Sequence, residues 1–263
     1  MAPSPSRPDY GIDAPGVRRL FVAVCGVGLI ACVTFALVPV PGSSWLTTLI
    51  GSLGAVAALY GAGMALYMTY GSRVGKVRAR ERLLRAIPWT GSERVLDVGC
   101  GRGLMLIGAA LRVPRGMAIG IDLWSSVDQS DNSPAAAYEN ARRAGVIKRV
   151  HIDTGDMRRL PYQDQAFDMV LSHWALHNIP DAEGRHGALQ EMLRVLRPGG
   201  WLVLADISHQ RATCQSLRQF GVRDLREDHG GIETALIGFF SGGSFRPQAI
   251  IARAPTVRWL GVG

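Results

Sequence analysis

Two long runs without a charged residue dominate the first quarter of the chain. Residues 20–38 and 45–70 are uncharged and largely apolar, and Pro39-Val40-Pro41-Gly42-Ser43-Ser44 between them reads as a tight polar turn. Each run is long enough to cross a hydrocarbon core as a helix. The pattern therefore predicts a transmembrane helical hairpin over 20–70, with spans at about 20–40 and 45–70. A cleavable signal peptide would end at a small-residue cleavage site; none follows the first run, and a second span does. Small residues recur every fourth position, Gly28, Cys32 and Ala36 on one helix and Gly54, Ala58 and Ala62 on the other. Such stripes let backbones approach closely, within the hairpin or between two subunits of a homo-oligomer. The general abundance of Gly and Ala produces the same pattern without either. Trp45, Tyr67 and Tyr70 fall where interfacial aromatics sit.

After the second run, Val74, Val77, Leu84 and Ile87 recur at helical spacing under a basic face, which predicts an amphipathic juxtamembrane helix over 71–88. It suits the anionic inner leaflet, and equally the first helix of the domain that follows. From residue 94 onward the periodicity changes. Strand-like runs at 94–98, 118–121, 150–153, 167–172 and 201–205 alternate with helix-length segments, and 222–227 and 248–253 close the series as a final pair. This alternation predicts an α/β domain over 89–263, a doubly wound, mostly parallel seven-stranded sheet of Rossmann-like type with an antiparallel last strand. Asn132-Ser133-Pro134 opens the helix after the second strand as a cap followed by proline, and Gly145 closes it. Arg197-Pro198-Gly199-Gly200 reads as a helix end turning into the strand at Trp201.

Composition refines this picture. Hydrophobic residues make up 48% of the 263 and charged residues 19%, which excludes a disordered polyelectrolyte. The net charge of +8 is localised: residues 71–85 carry six bases against Glu81, while residues 86–263 carry only +2. A nucleic-acid-binding face is thus not implied, and the anionic lipid of the inner leaflet is the expected partner. Arg18 and Arg19 precede the first span, six bases follow the second, and the turn has no charge. Both the N-terminus, residues 1–19, and the α/β domain are then cytoplasmic, in a two-span protein of the cell membrane. The four cysteines, Cys25, Cys32, Cys100 and Cys214, show no CxxC pair and no zinc spacing. With only Lys76 and Lys148 beside 27 arginines, lysine Schiff-base chemistry is remote.

The first strand runs into Val98-Gly99-Cys100-Gly101-Arg102-Gly103, and Leu104 begins a helix. Glycines at 99, 101 and 103 let the backbone turn sharply and approach a ligand at the helix N-terminus. The spacing is not the G-x-G-x-x-G of dinucleotide sites, since position 104 is Leu, and the Lys-Ser/Thr of a P-loop is missing. No Tyr has Lys four residues on, which further disfavours a short-chain oxidoreductase.

The stretches VLDVGCGRG, GIDLW, TGDMRRLPYQDQAFDMVLSHWALHNI and RVLRPGGWLVLAD, in that order over about residues 80–255, resemble the class I S-adenosylmethionine-dependent methyltransferases, particularly the type-11 branch. The resemblance implies S-adenosyl-L-methionine as cofactor. It would place Asp97 near the methionine ammonium, and Gly99, Cys100, Gly101 and Gly103 against the amino-acid and ribose portion. Asp122 would take the ribose hydroxyls, with Leu123 and Trp124 beside the nucleoside; Trp124 is either a stacking partner of adenine or part of a surface loop. Asp156 would take the adenine amine and Met157 would lie on the ring. His173, after the fourth strand, would lie near the reacting methyl, or simply pack. The chain departs from the family pattern after Asp122, where residues 124–131 delay the next helix. Asp122, Asp128 and Asp131 fit no cation-binding loop, so no metal is expected.

Methyl transfer from an activated donor asks the protein mainly for alignment and sometimes for a base. His173 and His177 are the base candidates after the fourth strand, and His209 follows the fifth. Ser172-His173-Trp174-Ala175-Leu176-His177-Asn178-Ile179 is similar to a stretch of the ubiquinone/menaquinone C-methyltransferases, in which Arg replaces His177. The similarity implies a hydrophobic small-molecule acceptor, quinone-like, phenol-like or lipid-like. A lipophilic thiol is the alternative acceptor, and a non-catalytic S-adenosylmethionine-binding membrane sensor the alternative function. In residues 1–19, Tyr10 and Asp13 are candidates for a lid over the site, Tyr10 with a catalytic role; the competing reading is a disordered tail.

Overall fold

The computed structural model describes residues 7–38, 41–125, 131–231, 234 and 247–256. The chain folds as two compact units, one built on Gly11–Lys76 and the other on the residues up to Tyr10 together with Val77–Ser125 and Asp131 onward.

In the first unit, helices α1 (Pro15–Leu37) and α2 (Ser44–Tyr70) pack antiparallel. Helix α1 begins ahead of the uncharged run because Pro15 presets the first helical φ and Ala14, at φ 45°, turns the chain into it. The helices touch backbone to backbone at glycines. A Cβ on Gly28 would lie 2.6 Å from Ala58 N and Gly54 O, and one on Gly61 2.6 Å from Cys25 N and Phe21 O. Four residues of the small-residue stripes, Gly28, Cys32, Gly54 and Ala58, thus meet inside the hairpin, joined by Gly61 from outside them. Large apolar side chains, among them Val27, Ile30, Leu53, Val56 and Leu59, stay exposed. Both helices are long and apolar enough to cross a membrane. Residues 39 and 40 of the expected turn lie outside the described residues.

A π-helical turn, Gly71–Gly75, follows α2 and leads into α3 (Lys76–Arg85). Ser72 Oγ accepts from Asp13 N at 3.1 Å, and Lys76 Nζ donates to Gly11 O and pairs with Asp13, both at 3.0 Å. Lys76 is buried, so this base of the juxtamembrane run is spent inside the protein.

The second unit is a three-layer α/β/α domain. Strands β1 (Arg94–Val98), β2 (Met117–Asp122), β3 (Val150–Thr154), β4 (Phe167–His173), β5 (Leu196–Asp206), β6 (Leu225–Asp228) and β7 (Gln248–Arg253) form one sheet in the order β3-β2-β1-β4-β5-β7-β6. All neighbours pair in parallel except β7, which is antiparallel to both β5 and β6. Alternate strand positions face opposite layers: Val95 packs with α3, α4 (Leu104–Ala110) and α5 (Pro134–Arg143), whereas Leu96 and Val98 pack with α6 (Ala182–Val195) and α7 (Gln210–Gln219). Ser133 caps α5, its Oγ accepting from Ala136 N at 3.2 Å, as Asn132-Ser133-Pro134 predicted.

The structure adds to two of these readings. Helix α3 lays Leu83 and Leu84 into this core, followed by Ile87 just past its end, and buries Arg80, whose guanidinium donates to Tyr10 Oη at 3.0 Å and pairs with Glu81. The segment thus serves as the first helix of the domain, while Arg73, Arg78, Arg82 and Arg85 stay exposed. The turn at 197–200 is absorbed into β5, which pairs Leu196 with Phe167 before a bulge brings Trp201 opposite Met169. Gly199, at φ 70°, supplies the left-handed residue this irregularity requires.

Candidate active site

Strand order reverses between β1, which leads to β2 and β3 on one side, and β4, which leads to β5 on the other. Ligands of open α/β sheets bind outside the carboxyl ends of the strands at such a point. The glycine loop lies there. Gly99, Gly101 and Gly103 have φ of 71°, 48° and 85°, which a side chain would strain. A Cβ on Gly99 would also come within 2.2 Å of Ala175 Cβ, beyond β4, and 3.5 Å of Met157 Cε. Gly99 N and Cys100 N both donate to Ile121 O, at 2.8 and 3.2 Å. The Cys100 thiol is buried and its pKa is pushed up by that burial, so this residue offers the site its backbone.

Asp97 is 1% exposed. Helix α4 has Gly103 at its N-cap and no side chain there to satisfy its first amides, and Asp97 Oδ2 does so instead, accepting from Leu106 N at 2.7 Å. Burial, aided by the charge of Asp122 and opposed by the Leu106 N–H, pushes the Asp97 pKa up to about 7. Its Oδ1 is buried without a protein partner.

Asp122, at the end of β2, organises the neighbouring turns. Oδ2 accepts from Gly101 N at 2.8 Å, and Oδ1 from Trp124 N at 2.7 Å and Asn132 Nδ2 at 3.3 Å. Leu123 is exposed beside it. Trp124, at φ 63°, fixes its indole by donating from Nε1 to Thr154 Oγ1 at the end of β3, 2.8 Å away. Asp156, just past β3, is paired with Arg158 at 2.6 Å, and that guanidinium holds its carboxyl below the usual range. Met157 packs half-buried nearby. Asp128 lies outside the described residues.

Beyond β4, His173 stacks on Trp174 with ring centroids 5.0 Å apart. Trp174 takes the left-handed φ of 54° as the chain leaves the strand. His177 makes the more directed arrangement. Its Nδ1 lies 2.6 Å from Asp206 Oδ1, and its backbone N–H donates to Asp206 Oδ2 at 3.0 Å. Asp206, at the end of β5, is in turn held by Ile207 N at 2.7 Å. With Nδ1 engaged by the carboxylate, Nε2 is the ring nitrogen left to take a proton. Asp206 was not legible as a site residue beforehand, although its place at the end of β5 parallels that of Asp122 at the end of β2.

Tyr10 sits differently from the expectation of a catalytic lid residue. It is 8% exposed and packed in the core with α3 and α4, its hydroxyl accepting from Arg80, and burial raises the phenol pKa above its ordinary value. Asp13 pairs with Lys76. Asp9, Tyr10, Gly11 and Asp13 are thus tied down by specific bonds rather than hanging as a tail.

S-adenosyl-L-methionine fits these residues. Three left-handed glycines clear a close approach, Asp97 and Asp122 give an acidic surrounding suited to an ammonium and a sulfonium, and the one basic side chain of the loop, Arg102, is drawn aside by Asp9. Two buried oxygens here, Asp97 Oδ1 and Asn132 Oδ1, lack a protein donor. The comparisons with known proteins agree. Residues 90–228, a little over half of the chain, match the family model described as a methyltransferase domain. Over 130 residues the chain is 36% identical to the 27-O-demethylrifamycin SV methyltransferase of Amycolatopsis mediterranei, covering 49% of this chain and 44% of that one. It is 35% identical over 130 residues to the demethylmenaquinone methyltransferase of Staphylococcus aureus, covering 49% of each. The chain spans about half the length of these curated relatives. In fold it is similar to geranyl diphosphate C-methyltransferase of Streptomyces coelicolor, whose crystal structure holds S-adenosyl-L-homocysteine, with TM-score 0.54 and 18% identity over 67% of this chain and 78% of that one. The chain belongs to the methyltransferase domain family, of S-adenosyl-L-methionine-dependent type.

Proposed function

We propose that the protein is a membrane-anchored methyltransferase that transfers the methyl group of S-adenosyl-L-methionine to a hydrophobic small molecule bearing an ionisable hydroxyl, such as a phenol or quinol. The observation that carries the acceptor chemistry is the His177–Asp206 pair, at 2.6 Å, on the same sheet edge as the glycine loop. When bound, the donor supplies a methyl group already activated on a sulfonium. The chain would hold and orient it: the loop backbone would receive the amino-acid end, Asp122 would accept from the ribose, and Leu123, Trp124 and Met157 would flank the adenine. Asp156 would reach the adenine amine only by sharing its carboxylate with Arg158, with which it is paired. As the acceptor oxygen takes the methyl, its proton passes to His177 Nε2, while Asp206 keeps the imidazole in the competent tautomer and stabilises its charged form. His173, at the end of β4, pairs in register with Ala205, the residue before Asp206. Relatives named for demethylrifamycin and demethylmenaquinone support a small-molecule acceptor.

The helical hairpin supports a bilayer location. Its glycine faces are spent within the hairpin and its large apolar side chains point outward, which favours lipid over a second copy as the occupant of that surface. The basic run offers less to anionic lipid than its six charges suggest, since Lys76 and Arg80 are buried and Arg82 is paired with Asp228. The charge asymmetry around the spans supports a cytoplasmic N-terminus and α/β domain.

The test supplies methyl-labelled S-adenosylmethionine and a panel of lipophilic quinols, phenols and thiols to the full chain in detergent. Label is expected in hydroxyl acceptors. The His177→Ala variant should lose about 10²–10⁴-fold in kcat with donor KM unchanged. Label confined to thiols overturns the hydroxyl reading, and donor binding without turnover on any acceptor points to a sensor.

A further inference from the structure

The glycine loop presents a mechanical problem. Three left-handed glycines in five residues have little intrinsic stiffness, yet a donor site needs the loop in one place. Part of the answer lies in Asn140 of α5, which is 1% exposed. Its Nδ2 donates to Arg102 O, inside the loop, at 3.0 Å, and to Asp9 O at 2.8 Å. Its Oδ1 accepts from Asp9 N at 2.8 Å. The side-chain amide thus pairs with both backbone groups of Asp9, as a neighbouring strand would, while pinning the loop with its second N–H. Arg102 closes the figure from the other side, Nε donating to the same Asp9 O at 2.9 Å and Nη2 lying 3.5 Å from the Asp9 carboxylate. Tyr10, next in the chain, is anchored in the core beneath Arg80.

We propose that Asn140 is a positioning residue for the methyl donor, clamping the N-terminal segment at Asp9 to the carbonyl of Arg102 and so fixing the glycine loop. The proposal rests on the reading of this loop as the donor site. Because the contacts to Asp9 are mainly through its backbone, the segment acts as a strap whose hold depends on Asn140 more than on the Asp9 side chain. The buried amide has one shape and two functions, and substitution separates them. Asn140→Asp keeps the shape and an acceptor for Asp9 N but turns a carboxylate oxygen toward two carbonyls. Asn140→Leu removes all three bonds.

The experiment uses the full chain in detergent. It measures the Kd of S-adenosyl-L-homocysteine by calorimetry, donor KM and kcat where turnover is found, and hydrogen exchange of residues 7–13 and 99–106. Leu217→Ala, buried on the opposite face of the sheet, serves as a control for general destabilisation. Both Asn140 variants should raise Kd and donor KM about tenfold, leave kcat at saturating donor within twofold, and speed exchange in the strap and the loop together. Tolerance of Asn140→Asp, exchange confined to α5, or an equal rise of Kd in Leu217→Ala overturns the proposal. If the wild type binds no S-adenosyl-L-homocysteine, the donor reading has failed. Exchange in the ligand-free protein then decides: joint acceleration of strap and loop upholds the clamp, and independent behaviour removes it.

Discussion

Asp97 offers the most quantitative test of how this site works. Its carboxyl is buried, tied to Leu106 N by one oxygen and unpartnered at the other, with a pKa near 7. An acid whose folded pKa stands above its unfolded value of 3.8 favours the folded state while protonated, and that advantage is lost as pH rises toward the folded pKa. Asp97→Asn keeps an acceptor for Leu106 N and removes the charge. Its stability relative to wild type should therefore improve by about 3 kcal/mol between pH 5 and pH 8. At any single pH this is offset by about 1–3 kcal/mol for the amide N–H left without an acceptor. Donor binding should show the complementary linkage. A bound ammonium and sulfonium favour the ionised carboxylate, so wild-type affinity for S-adenosylmethionine rises with pH up to about 7. If the bound state keeps Asp97 ionised throughout, affinity falls about 25-fold from pH 7.5 to pH 5.5. Calorimetric titrations of both proteins across this range measure the slope. A wild-type affinity that is flat with pH, or the same slope in Asp97→Asn, would refute the reasoning.

Other outcomes follow from the same geometry. Asp206→Asn should lower kcat on a hydroxyl acceptor by about 10²-fold or more while leaving S-adenosylhomocysteine binding intact, as steady-state kinetics beside calorimetry will show. Tyr10→Phe should cost about 1 kcal/mol in thermal stability by removing an acceptor from buried Arg80, with kcat unchanged; a hundredfold fall in kcat would restore Tyr10 to a catalytic role. Gly54→Leu should force α1 and α2 apart, since a Cβ at Gly54 already meets Cys32 N at 2.7 Å and Gly28 O at 2.8 Å. Faster maleimide labelling of Cys25 and Cys32 reports that opening, and unchanged labelling would count against backbone contact in the hairpin.

Much of the fold was legible because its signals are local. Strand periodicity, the Ser133-Pro134 cap and the glycine loop each follow from neighbouring residues, and the structure places the β1 and β7 bounds where the pattern put them. The loop-to-helix transition could be read in the same way. What escaped depends on partners far apart in the chain. Nothing near Lys76 or Arg80 announces that Asp13 and Tyr10 will cover them, so the sequence does not tell these two buried bases from the exposed Arg78, Arg82 and Arg85. Asp206 becomes a partner of His177 only when β5 is laid beside β4, and Asn140 meets Asp9 across 131 residues. Asp97 was marked by its motif, but the motif does not say that its carboxylate turns to cap α4. The bulge in β5 was hidden for a related reason, because Pro198-Gly199-Gly200 is ordinary turn chemistry until Leu196 finds Phe167.

The central claim is that the edge formed by Asp97, the glycine loop and Asp122 binds S-adenosylmethionine. Calorimetric titration of the whole 263-residue chain with S-adenosylmethionine and, separately, NADH tests it most directly, with Asp122→Ala as the variant. Saturable binding of S-adenosylmethionine alone, lost in Asp122→Ala, is the expected result; binding of NADH, or of neither ligand, would contradict it.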